Sequence, residues 1–145
     1  MEPNLWANHW YAVVMINLHG SSGMGMDFQN AVRYNWKDGP FENIIMGFDY
    51  IINNYQWIDI NRVRGCGASY GGYMINWIQG HKNDKTFKCL VTHDGIFSTI
   101  ITMFYATEEM WFTISDYCSH DKWGCKPFNE DERKGYEEYN PEYFA

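Results

Sequence analysis

Between Arg62 and Thr92 the chain runs Arg62-Val63-Arg64-Gly65-Cys66-Gly67, turns at Ala68-Ser69, continues through an apolar-rich stretch from Tyr70 to Gln79, and returns in Lys88-Cys89-Leu90-Val91-Thr92. Two strand-length runs flanking one helix-length run predict strand, helix, strand, with Gly80 as a plausible stop for the helix. Strands joined through a helix lie parallel, and a parallel sheet is stable only when both of its faces are covered. This one unit therefore commits the chain to the α/β class, with three layers and a mostly parallel sheet.

The flanking sequence extends the alternation. Tyr11-Ala12-Val13-Val14-Met15-Ile16-Asn17 reads as a further buried strand, entering the loop Gly20-Ser21-Ser22-Gly23-Met24-Gly25. Pro40 stands where a first helical turn tolerates it, and Phe41, Ile44, Ile45, Phe48, Ile51, Ile52 and Tyr55 follow at the spacing of one helix face. Beyond Asp94 the pattern weakens. Phe97 to Phe112 reads as helical, and 116–145 as a polar, aromatic-rich tail without periodicity. No internal repeat or low-complexity linker divides the chain, so 1–145 is read as part of one domain.

With 145 residues, 46% of them apolar, and 27 aromatic side chains, the chain can fill a compact core. A formal charge of −7 without any Lys/Arg cluster speaks against nucleic acid or an anionic membrane surface as partner. No apolar run approaches the roughly 20 residues of a membrane span, and Met1-Glu2-Pro3 does not open a secretory leader, so a secreted and a cytoplasmic location both stay open. Cys66 and Cys89 lie in apolar segments and are expected to be small buried hydrophobes. Cys118 and Cys125 flank a polar loop and could close a small disulfide; with His120 they also sketch a zinc site, for which a fourth ligand is lacking. No cofactor or metal is expected.

The chemistry is concentrated at Gly67-Ala68-Ser69-Tyr70-Gly71, a G-x-S-x-G sequence between predicted strand and predicted helix. A sharp turn there lifts the Ser69 hydroxyl clear of its neighbours, with Gly67 and Gly71 expected to make room for the bend. The same turn aims the Tyr70 N–H and the helix N-terminus at the space where an oxyanion would develop. Ser69 is thus the candidate nucleophile and Tyr70 the candidate oxyanion donor. A serine nucleophile also needs a histidine base and a carboxylate to orient it, in the chain order Ser, acid, His. Of the later histidines, His81 reads as a solvated loop residue and His93-Asp94 as a structural strand end. Asp116 with His120 is the one late acid-then-histidine pair, in what reads as a surface loop.

From Gly67 to Gly80 the sequence, GASYGGYMINWIQG, resembles the prolyl oligopeptidase family of serine peptidases, nearest its dipeptidyl-peptidase V and acylaminoacyl-peptidase branch. YAVVMINLHGSSGMG (Tyr11 to Gly25) is similar to that branch's strand and Gly-Ser loop, Trp36 to Asp49 to its segment beginning W-x-x-x-P, and VTHDGIFS (Val91 to Ser98) to the stretch after the nucleophile helix. The resemblance implies a partial α/β-hydrolase fold, the central part of a catalytic domain, with Ser69 as nucleophile, the Tyr70 N–H as one oxyanion donor and a peptide as substrate. It also implies that the second oxyanion group, the catalytic Asp and His, and a β-propeller are encoded outside residues 1–145. His19, where the family tends to a small or basic residue, is read as a loop residue. In the family's sheet order a strand encoded upstream separates the one resembling Tyr11–Asn17 from the one before Ser69. The isolated polypeptide is therefore expected to fold poorly and to be inactive.

Three other readings compete. Gly65, Gly67 and Gly71 after a strand, with Asp94 ending the next, sketch a dinucleotide-binding unit, although Tyr70 and Tyr73 would crowd a pyrophosphate. A lipase-like esterase would use His19-Gly20 as its oxyanion loop, but the 49 positions from Gly20 to Ser69 suit the peptidase pattern better. A non-catalytic remnant would keep the motif without its function.

Overall fold

The computed structural model describes residues 2–81, 87–106, 116, 128 and 130–145. In chain order these form α1 (Pro3–Asn8), α2 (Met26–Asn30), α3 (Asp38–Asn54), a 3-10 turn (Ile60–Arg62), β1 (Arg64–Ala68), α4 (Tyr70–His81), β2 (Cys89–His93), a π-helical segment (Thr99–Ala106), α5 (Glu130–Glu138) and a 3-10 turn (Pro141–Tyr143). None of these helices is long and apolar enough to cross a membrane.

β1 and β2 pair in parallel, from Arg64 opposite Cys89 to Ala68 opposite His93. Because side chains alternate along a strand, Gly65, Gly67 and Leu90 turn toward α4, while Arg64, Cys66, Ala68, Cys89, Val91 and His93 turn the other way and are exposed. Cys66 and Cys89 are therefore exposed free thiols rather than buried hydrophobes: no described element covers their face of the sheet. Cys118, His120 and Cys125, with the disulfide and zinc readings they carried, lie outside the described residues.

α4 is the centre of the core. Tyr73, Met74, Ile75, Trp77 and Ile78 are all buried, with Trp36, Met103, Tyr136 and Tyr139 packed around them. Gly80 does not stop this helix, which continues to His81. A Cβ on Gly80 would come within 2.7 Å of Phe144, so the glycine serves close packing of the C-terminal segment and not termination. His81 is likewise no solvated loop residue. Its ring stacks on Trp77 at 3.7 Å, lies 4.2 Å from Phe144, and its Nδ1–H donates to the Trp77 carbonyl at 2.9 Å.

Two other expectations fail for definite reasons. Tyr11–Asn17 makes no strand, and Tyr11, Val13, Val14 and Met15 are exposed, because no described strand pairs with this run. Ile16 alone points inward, against Gly47 of α3. Residues 130–145 of the C-terminal tail, in contrast, are held in place by polar groups. Asn140 is buried and its Oδ1 accepts from the Thr99 N–H at 3.1 Å, the Thr99 hydroxyl donates to the Tyr136 carbonyl at 2.6 Å, and the Tyr73 hydroxyl donates to the Tyr139 carbonyl at 3.0 Å. The expected helix over 97–112 is present as the π-helical segment up to Ala106, its remainder lying outside the described residues.

Candidate active site

β1 ends at Ala68, α4 begins at Tyr70, and the whole reversal is made by Ser69, whose φ is +55°. A left-handed backbone at a residue with a Cβ costs on the order of 1–3 kcal/mol and persists only where the surroundings impose it. Here they do so from several sides. The Ser69 N–H donates to the His93 carbonyl at 3.1 Å, prolonging the β1–β2 pairing by one residue, and its carbonyl accepts from Tyr73 N–H at 3.0 Å, opening the helix. The Ser69 side chain is left exposed at the tip of the turn.

Glycine is required around this turn for lack of a side chain more than for unusual φ. A Cβ on Gly67 would fall 1.9 Å from the Gly71 carbonyl oxygen, so only glycine fits. At Gly71 a Cβ would meet nothing within 4 Å, and the expectation that both flanking glycines make room has a steric basis at position 67 alone. Sequence reasoning passed over two others. A Cβ on Gly72 would fall 2.5 Å from the Gly95 Cα, and one on Gly95 would fall 2.4 Å from Thr92 Oγ1 and 2.5 Å from the Gly72 carbonyl carbon. The Thr92 hydroxyl donates to the Gly72 carbonyl at 3.2 Å across the same contact. The first turn of α4 thus lies backbone to backbone on the chain leaving β2, where Asp94 also has a positive φ of +50°. The doubled glycine of Tyr70-Gly71-Gly72 and the Asp94-Gly95 pair were the available signals.

Tyr70 follows the turn, and its hydroxyl donates to the Trp36 carbonyl at 2.8 Å. The Trp36 ring meets Tyr70 edge-on at 5.1 Å and Tyr73 at 5.4 Å, and its indole N–H donates to Asp116 Oδ2 at 3.0 Å. Burial pushes the Tyr70 and Tyr73 hydroxyls well above the usual phenol range, so both stay protonated donors.

The described histidines do not assemble around Ser69. His81 ends α4, about 16 Å along the helix axis from its start. His93 is exposed on the uncovered sheet face and contacts Ser69 through its backbone carbonyl. His19 stacks on Phe28 at 4.7 Å, its N–H donates to Asn43 Oδ1 at 2.9 Å, and its Nδ1 is buried beside Gly39 with no hydrogen-bond partner among the described residues. It therefore anchors the loop 20–25 rather than lying free in it. Asp116 is engaged with Trp36, and its sequence partner His120 lies outside the described residues. No group of three or more His, Cys, Asp or Glu among the described residues could hold a metal ion. Gly65 faces Leu90 and Ile75, and Gly67 faces Gly71, so these two glycines of the dinucleotide reading are occupied by packing.

A strand, a serine in left-handed backbone and a helix packed glycine-to-glycine on the chain leaving the next parallel strand form a strand–turn–helix unit of the kind found in the α/β-hydrolase fold. Solved structures agree: the acylaminoacyl peptidase of Pyrococcus horikoshii superposes over 88% of this chain and 19% of its own, with a TM-score of 0.73 at 23% identity. The family model described as the prolyl oligopeptidase family matches residues 1–143, and the chain belongs to that family. It is similar to dipeptidyl-peptidase 5 of Schizosaccharomyces pombe, 40% identical over 99% of this chain and 20% of the relative. Dipeptidyl-peptidase 5 of Aspergillus oryzae is 37% identical over 97% of this chain and 18% of the relative. The chain thus spans about a fifth of the length of these relatives. These likenesses favour neither the dinucleotide nor the esterase reading.

Proposed function

We propose that the chain carries the nucleophile-bearing part of a serine peptidase catalytic domain, acting on peptides through an acyl-enzyme at Ser69. The observation that carries this reading is the strained, exposed serine between β1 and α4, in a chain whose family is that of peptidases. The Ser69 oxygen attacks the substrate carbonyl carbon, its proton passes to a histidine base, and the developing oxyanion accepts from the Tyr70 N–H at the positive end of α4. Collapse of that intermediate expels the amine and leaves the acyl group on Ser69 until water releases it. The base, its carboxylate partner and a propeller domain are supplied by sequence outside residues 1–145, in keeping with the fifth of each relative that the chain spans. Dipeptides released from a peptide N-terminus are the favoured products, since the relatives named above carry the name dipeptidyl-peptidase.

The test is hydrolysis by the product of the full reading frame, using dipeptidyl and N-acyl-aminoacyl chromogenic reporters side by side. Turnover of the dipeptidyl reporter that falls by about 10⁴-fold or more in Ser69→Ala is expected. Undiminished turnover in Ser69→Ala removes Ser69 from the chemistry, and preference for the acylated reporter transfers the specificity to the other branch.

A further inference from the structure

The strain at Ser69 raises the question of what holds the next residue, whose N–H the proposed reaction uses. Hydrogen bonds on either side of the turn fix Ser69, and because the Ser69 carbonyl and the Tyr70 N–H share one planar peptide, the bond from the Tyr73 N–H also limits how that N–H can turn. The Tyr70 side chain supplies a second restraint, from the far side of the residue. Its ring is packed against Trp36 and Tyr73, and its hydroxyl is tied to the Trp36 carbonyl. Trp36 is itself buried and tethered by its indole N–H to Asp116. Asp116 is held in turn by its main chain, whose carbonyl accepts from the Tyr34 N–H at 2.9 Å.

We propose that Asp116, Trp36 and the Tyr70 hydroxyl form a positioning chain that sets the Tyr70 N–H for the oxyanion, making Trp36 and Asp116 positioning residues for the reaction at Ser69. The inference rests on the peptidase reading above and adds a role to it. It also separates two functions of Asp116 that have opposite chemistry. A carboxylate orienting a catalytic histidine must be ionised, and its amide analogue costs on the order of 10⁴-fold in turnover. An acceptor for an indole N–H needs only an oxygen, which asparagine supplies.

An oxyanion donor strengthens its bond as charge develops, so displacing it lowers kcat and leaves substrate binding nearly untouched. The experiment therefore measures kcat and KM for a dipeptidyl reporter, per active site titrated with a fluorophosphonate, in the product of the full reading frame. Tyr70→Phe keeps the ring and deletes the hydroxyl; a fall in kcat of about tenfold with KM changed less than about twofold is expected. Asp116→Leu is expected to show a similar fall, Asp116→Asn to retain most of the activity, and Tyr70→Phe with Asp116→Leu to fall little further than either alone. Thermal unfolding of each variant identifies those that lose folding, and Asp116→Asn supplies the reading if Asp116→Leu does not fold. Unchanged kcat in Tyr70→Phe overturns the inference, as does a collapse of kcat in a folded Asp116→Asn. Inert wild-type protein, or labelling that survives Ser69→Ala, sinks the peptidase reading, and the positioning chain with it.

Discussion

Two regions of the described chain, α4 with its neighbours and the N-terminal stretch 5–15, are both rich in large apolar and aromatic side chains, yet only the first is packed. Around α4, Tyr73 and Tyr136 are wholly buried and Met74 nearly so. In the N-terminal stretch 5–15, Trp10 is 98% and Met15 76% exposed, with Leu5, Trp6, Tyr11, Val13 and Val14 also in contact with solvent. Hydrophobicity does not distinguish the two; hydrogen-bonding partners do. The α4 region satisfies its backbone within a helix, across a paired strand and through Thr99 and Asn140. The run 11–17 is strand-forming by composition and has no described strand beside it, so its side chains have no layer to join.

The contrast can be broken most severely in the packed region. Gly72→Ala drives a methyl group into the Gly95 backbone, which cannot give way as a flexible side chain could. We expect a loss on the order of 3 kcal/mol or more by overpacking, read as a lowered denaturation midpoint together with loss of Ser69 labelling. A smaller effect follows from the buried phenols. Tyr73→Phe leaves the Tyr139 carbonyl without its donor and should cost about 1–2 kcal/mol near neutral pH.

Alkaline titration sharpens the same point. Burial raises the Tyr73 hydroxyl above the ordinary phenol value of 10.0, and burial beside Glu138 and Asp38 pushes Tyr139 up to about 12. Groups with raised pKa in the folded state contribute stability that is intact below the unfolded value, so the denaturation midpoint should hold to about pH 10 and fall above it. The fall should be shallower in Tyr73→Phe. Least of all should be the effect of Met15→Lys, within about 0.5 kcal/mol, because that side chain is exposed in this structure. A large loss there would mean that the N-terminal run is packed after all.

The legible parts of the sequence were those whose signal is local. The order strand, G-x-S-x-G, helix, strand from Arg64 to His93 and the long helix α3 follow from spacing and turn residues, and the structure realises them within a residue or two. The run 11–17 misled because a strand is a relation between two segments, and one segment cannot reveal its neighbour. Gly80 misled because a helical glycine can serve close approach as well as termination. The described part of the C-terminal tail, 130–145, was illegible for a third reason: its placement depends on Asn140, Thr99 and Tyr136 meeting across some 40 residues of chain. At the site, Ser69 and Gly67 could be picked out from sequence, whereas the Tyr70–Trp36–Asp116 connection and the Gly72–Gly95 contact exist only in three dimensions.

Reactivity at Ser69 requires a hydroxyl held out of the protein by a residue in left-handed backbone. Treatment of the product of the full reading frame with a fluorophosphonate, followed by peptide mapping, addresses that claim directly. A single adduct on the peptide containing Ser69, absent after heat denaturation and absent in Ser69→Ala, is the predicted result. A folded protein that leaves Ser69 unmodified while another serine reacts would contradict it.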